Sequence, residues 1–170
     1  MTTPLLLVLL LTAPWCMAAL LARVRGRSSV PAAAGRWGLV LAFLFTASGH
    51  FLMTEAMALM LPAWVPGRVP LVLATGVLEI AIALGFLWPH TQRWAAWTAL
   101  VVLVAFFPAN VYAAWKEVPV GGHAWGLVYL WLRTPLQLLL VAWTWHFGLG
   151  RSLAGPLMKR SRDHDRAVRL

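Results

Sequence analysis

Apolar residues fall in long unbroken runs along this chain, and polar residues gather in the short stretches between them. Five runs stand out, at 4–22, 37–61, 70–88, 94–115 and 125–147. A helix needs about 20 predominantly apolar residues to cross the hydrocarbon core. Each run has that length, and none shows the strict alternation of a half-buried strand. In lipid, helices and closed barrels are the structures that satisfy their own backbone. The pattern therefore predicts five transmembrane helices. Trp37, Trp88, Trp94, Trp115, Trp125 and Trp145 sit at or near the run ends, and Trp64 lies just beyond one. Indole rings favour the headgroup level. Pro62, Pro66, Gly67, Pro89, Pro119, Gly121 and Gly122 punctuate the connections, where such residues end helices and make turns.

Composition agrees. Hydrophobic residues make up 61% of the 170 residues and charged residues 11%, against about 45–50% and about 25% in soluble domains. This excludes a disordered chain, a coiled coil and an ordinary soluble enzyme. The single cysteine, Cys16, excludes an intrachain disulfide and a cysteine-based zinc site. A net charge of +9 suggests nucleic acid until the charges are placed. They lie between and after the apolar runs, so the expected partner is the lipid bilayer and not nucleic acid.

Their placement also predicts orientation. Arg23, Arg25, Arg27 and Arg36 occupy the first connection, Arg93 the third, and Arg151, Lys159, Arg160, Arg162, Arg166 and Arg169 the tail. The opposite side carries Arg68 and Lys116. The positive-inside rule puts the tail and the first connection in the cytoplasm and the N-terminus outside. The segment 1–11 carries no Lys or Arg, and positive charges follow the first run. That is the pattern of an uncleaved anchor, not of a signal peptide. Three segments follow: an N-terminal anchor with its basic connection (1–35), a four-helix membrane domain (36–150) and a basic tail (151–170). The tail either meets anionic headgroups or is a solvated segment that only sets topology.

Charged groups inside a span cost roughly 2.5–3.5 kcal/mol each on insertion scales. They persist where they face a bundle interior or one another. The intramembrane candidates are His50, Glu55, Glu79, Asn110, Arg133 and Gln137. With a rise of about 1.5 Å per residue, all six fall between the midplane and the outer surface. Glu79 and Arg133 differ in depth by about 5 Å and are expected to pair, with Glu55 as the rival carboxylate. The layer is either a ligand pocket or a polar plug that fixes helix packing. Interhelical hydrogen bonds in membranes average only about 0.6 kcal/mol, which favours the pocket.

Other signals are weaker. His50, Met53, Met57 and Met60 share one face of an uninterrupted helix. Thioethers and an imidazole suit Cu(I), but methionine is an ordinary gap filler, and no metal site is expected. His146 lies about 15 Å from the level of His50, so one haem iron cannot take both. His90, His123 and His164 fall in connections or the tail and read as surface residues.

Five short segments carry a resemblance: Ser48-Gly49-His50-Phe51, Pro62-Ala63-Trp64-Val65-Pro66, Thr75-Gly76-Val77-Leu78-Glu79, Phe107-Pro108-Ala109-Asn110 and Leu132-Arg133-Thr134-Pro135-Leu136-Gln137. Their order and spacing over 36–148 resemble the DoxX-like family of small bacterial membrane proteins. The resemblance implies a four-helix core with both ends cytoplasmic, to which the first run is an addition. It also implies a bacterial plasma-membrane location. Some members of that family are subunits of a thiosulfate:quinone oxidoreductase, and others accompany redox or oxidative-stress proteins. It carries over no catalytic residue and leaves open whether this chain is an enzyme.

Three functions fit. The first is an accessory subunit of a membrane redox or oxidative-stress system, with a small lipophilic ligand such as a quinone in the polar layer. The second is an assembly or interaction factor that docks another membrane protein. The third is a small proton-linked transporter, against which stands the absence of a visible inverted repeat. The expected fold is all-α: a four-helix transmembrane bundle plus one extra N-terminal transmembrane helix. Reporter fusions test the orientation. Junctions after Arg36 and after Lys159 should read cytoplasmic, and one after Arg68 exterior; an exterior signal after Lys159 would mean a miscounted span.

Overall fold

A computed structural model describes residues 2–27 and 29–150. The tail at 151–170 lies outside the described residues. The helices are α1 (Thr2–Val24), α2 (Ala32–Leu52), α3 (Thr54–Ala58), α4 (Arg68–Gly85), α5 (Gln92–Trp115) and α6 (Leu130–Thr144). A 3-10 segment, His123–Tyr129, leads into α6, and a π-helical turn, Trp145–Leu149, ends it. The described residues contain no strand, and the fold is all-α. Five helical segments are long and apolar enough to cross a membrane: Thr2–Val24, Ala32–Leu52, Arg68–Gly85, Gln92–Trp115 and His123–Leu149. The chain is a multi-pass membrane protein.

The second run is not one helix. α2 stops at Leu52, because Met53 takes φ −129° and ψ 30°. Thr54 Oγ1 donates to the carbonyls of His50 (2.6 Å) and Phe51 (3.2 Å). These are carbonyls that a continuing helix would have capped with its own amides. α3 follows as little more than one turn. Residues 59–61 then close with three-residue spacing, through Leu59 N to Ala56 O, Met60 N to Met57 O and Leu61 N to Ala58 O. The expected stripe of His50, Met53, Met57 and Met60 is broken at this point. Met53 is exposed and Met60 is buried. The described residues hold no cluster of three or more His, Cys, Asp or Glu suited to a metal ion.

The fifth run is also composite. Gly121 and Gly122 take φ of 61° and 107°, a region open to glycine and costly for other residues. Gly126, at φ 68° and ψ −154°, bends the segment again before α6. Prolines 14, 108 and 135 lie inside helices, which transmembrane helices tolerate when neighbours satisfy the freed carbonyls.

Large apolar side chains cover the outside: Leu5, Val101, Val104, Leu138 and Trp131 are mostly exposed. In water this would be a liability; in lipid it is the solvated surface. Inside, one large cluster joins Leu7 and Leu11 of α1, Leu39 and Phe43 of α2, Ile82 of α4, Ala96 and Ala99 of α5, and Leu140 of α6. A smaller one joins Met60, Ala113, Val118 and Val120 at the other end. The polar residues of α2 and α5 fall between these clusters along each helix.

Because lipid tails are as apolar as leucine, helices here associate by close packing. α1 packs on α2 at Gly38, where an added Cβ would run into the Leu11 carbonyl. α1 meets the last span through Trp15 and Trp143, whose rings cross edge-on at 6.3 Å. Trp143 Nε1 also donates to Gly35 O at 3.0 Å. Gly38→Val is therefore expected to destabilise the α1–α2 contact by about 1–3 kcal/mol, the range for overpacking. Thermal unfolding in detergent should show a lowered midpoint for Gly38→Val and no change for Ala81→Val, a lipid-facing control.

Candidate functional site

Two buried polar groups stand in the bundle, each built around a histidine. The first is His50 of α2 with Glu79 of α4. Gly76 makes their approach possible, since a Cβ there would press on His50 Cβ and the Phe51 ring. His50 Nδ1 lies 2.8 Å from Val72 O and 3.1 Å from Thr75 Oγ1. A carbonyl can only accept, so Nδ1 carries the proton. Thr75 Oγ1 donates to the same carbonyl at 2.8 Å, which leaves its lone pairs facing the ring. Nε2 then points at the carboxyl, 3.7 Å from Glu79 Oε2. Both residues are buried, at 6% and 4% exposure, and Oε2 has no hydrogen-bond partner.

The second group joins Asn110 of α5, His123 of the 3-10 segment and Arg133 of α6. Asn110 Nδ2 donates to Phe106 O at 2.8 Å, which fixes the amide so that Oδ1 faces the bundle. Arg133 Nε donates to that Oδ1 at 3.1 Å. His123 Nε2 lies 3.2 Å from the same oxygen, and His123 Nδ1 lies 2.6 Å from Val120 O. The Tyr129 ring crosses the imidazole edge-on at 4.8 Å. His123 thus meets acceptors at both nitrogens. It makes both bonds at once only when both nitrogens carry protons.

Several expectations change. Glu79 and Arg133 attract one another as expected, but at longer range than an ion pair: the group within 4 Å of the carboxyl is His50, and the Arg133 hydrogen bond goes to Asn110. The Gly76 contact brings α4 onto α2 and so Glu79 onto His50, while Arg133 reaches Asn110 of α5. Glu55 does not join either group. It is exposed, because the break at Met53 carries α3 away from the line of α2. His123 was read as a surface residue but is 4% exposed. The glycine pair before it turns the connection inward, and that pair was the available signal. Gln137 is buried and donates from Nε2 to Leu103 O, tying α6 to α5. It is a packing bond outside both histidine groups. His90 and His146 are exposed. Cys16 is exposed on α1.

The two groups share one arrangement. In each, Nδ1–H is fixed on a backbone carbonyl and Nε2 faces a side-chain oxygen. For His50 that oxygen belongs to a carboxyl 3.7 Å away, with which the ring can share a proton after a small movement; for His123 it belongs to a neutral amide that also accepts from Arg133. A groove of about 420 Å³ and a smaller cavity of about 80 Å³ lie toward opposite ends of the bundle, and neither is lined by these residues. The His50–Glu79 pair, with an acid facing a base, is the one of the two groups suited to sharing a proton. Asn110 is the shared acceptor of the second group. Asn110→Ala should cost about 1–3 kcal/mol, since it leaves buried donors unpartnered. The check is a lowered unfolding midpoint in detergent, with a larger drop than for Gln137→Leu, which removes a single bond to Leu103 O.

Neither the curated proteins nor the solved structures contain a match. The family model described as Domain of unknown function (DUF8561) matches residues 39–148. That span begins within α2, ends in the π-helical turn, holds both histidine groups and leaves α1 outside. The chain belongs to the DUF8561 family.

Proposed function

We propose that this protein is an accessory subunit of a membrane redox or oxidative-stress system, and that its buried His50–Glu79 pair holds a proton for that system. In this role the protein sits in a bacterial plasma membrane, N-terminus outside and C-terminus cytoplasmic, as a relative of the DoxX-like proteins it resembles. One observation carries it: Glu79 Oε2 is buried, without a hydrogen-bond partner, and faces the Nε2 of an imidazole whose other nitrogen is already committed.

A plain packing plug would satisfy that oxygen. An orphaned buried carboxylate oxygen is costly, and such intramembrane groups mark proton or substrate paths. The pair can hold one proton in two forms: carboxylic acid with neutral imidazole, or carboxylate with imidazolium. At 3.7 Å the two atoms stand outside hydrogen-bond reach, so a small side-chain movement makes or breaks the contact. A quinone is the class of lipophilic ligand that suits this chemistry, because its reduction takes up protons together with electrons. The electrons would come from a partner redox protein; this chain contributes groups that hold and release protons.

The test is purification from native membranes, followed by identification of bound lipophilic molecules and co-purifying proteins. Wild type should carry a quinone or a redox protein. Glu79→Gln should keep its membrane level within about twofold, because the isosteric amide removes a buried charge rather than stranding one. It should lose at least about tenfold of the redox activity of the assembled system, the scale of general acid–base effects. Neither a quinone nor a redox partner, with activity unchanged in Glu79→Gln, overturns the reading.

A further inference from the structure

The break in the second run creates a feature that the histidine groups do not use. Between α3, the turn at 59–67 and the first turn of α4 lies the groove of about 420 Å³. Its lining includes Glu55, Leu59, Val65, Gly67, Arg68 and Val69. Glu55 and Arg68 have opposite charges, yet among the described residues no ion pair within 4 Å joins them. Arg68 is half-buried, and its Nη1 reaches Leu61 O at 3.5 Å. The groove therefore keeps an anionic side and a cationic side apart.

We propose that this groove binds the headgroup of a zwitterionic aminophospholipid, with the ammonium at Glu55 and the phosphate at Arg68. A free anion would meet Arg68 but be opposed by the Glu55 carboxylate. A lipid with phosphate and no amine meets the same opposition. A zwitterion satisfies both sides. The phosphate side is reinforced by α4, which begins at Arg68 after Gly67; the first amides of a helix lack helical acceptors and favour negative charge.

The surroundings select a lipid over a soluble zwitterion. The groove lies where α2 and α3 leave the membrane and α4 re-enters it, at the headgroup level. Leu52 and Trp64 are each 82% exposed, and Leu59, which lines the groove, is 53% exposed. These side chains give the acyl chains an apolar bed beside the polar groove. Trp64 sits as an interfacial indole does.

The test uses the full chain in detergent, titrated with phosphatidylethanolamine or phosphatidylglycerol and read by native mass spectrometry. Wild type should retain phosphatidylethanolamine at least about tenfold better, the scale of one charge-assisted hydrogen bond. Glu55→Gln should reduce that preference to within about twofold, by weakening phosphatidylethanolamine retention and relieving the opposition to phosphatidylglycerol. Arg68→Gln should weaken both. Glu55 is exposed, so its neutral variant is expected to fold, and an unchanged unfolding midpoint verifies this. Equal retention of both lipids by wild type, or an undiminished preference in Glu55→Gln, overturns the proposal. Water-soluble phosphoethanolamine binding as tightly as the lipid overturns the lipid assignment. None of these outcomes depends on a redox partner or on Glu79, so this inference and the functional reading fail separately.

Discussion

The approach of α4 to α2 at Gly76 is the contact on which the rest of the polar interior depends. His50 Cβ lies against the space where a side chain at 76 would be. That closeness brings His50 Nδ1 to Val72 O on the neighbouring helix. Once one ring nitrogen is committed, the direction of the other follows, and it meets Glu79. A wider helix spacing would leave Val72 O without this partner and the imidazole free to rotate. In lipid, where no water fills the gap, such a loss is not repaired. A glycine one turn before Glu79 thus determines the chemistry of a histidine on another helix.

The second group is built by a different device. α5 delivers Asn110 from a regular helix, but His123 comes from a connection that two left-handed glycines fold inward. Arg133 comes from α6, after a further non-helical glycine. The three side chains converge on one amide oxygen from a helix, a turn and a second helix. Asn110 accepts from two directions because its own amide nitrogen is anchored one turn back on Phe106 O. The same logic, a side chain fixed at one end so that its other end is aimed, operates in both histidine groups.

Much of the fold is legible in the sequence, because the bilayer imposes one dominant rule. Run length and hydropathy suffice to find the five spans, and Trp and glycine mark their ends. The break at Met53 is not legible in the same way. The apolar pattern runs on through Met53, where the backbone leaves the helical region, and the Thr54 hydroxyl takes up carbonyls left at the helix end. That local break at Met53 moves Glu55 out of the interior. Depth arithmetic placed His50, Glu79, Asn110, Arg133 and Gln137 at similar levels, and all but half-buried Arg133 are fully buried. It could not pair them, because depth says nothing of which helices touch. His123 is not legible because it lies outside an apolar run, while the glycine pair beside it turns the chain back into protein.

Gly126 has a consequence for how sequence variation in this family is to be interpreted. At φ 68° and ψ −154° it occupies a region essentially reserved for glycine. Any other residue strains the backbone where the last span begins and shifts the register of everything after it. Invariance at position 126 across relatives would record the curvature of the chain rather than contact with a ligand. A mutational scan scored on function would rank this residue beside Glu79 and His50, though it offers no side chain to the chemistry. Separating the two classes requires a readout of abundance measured next to activity, since a geometric position lowers both and a proton-holding one lowers only the second.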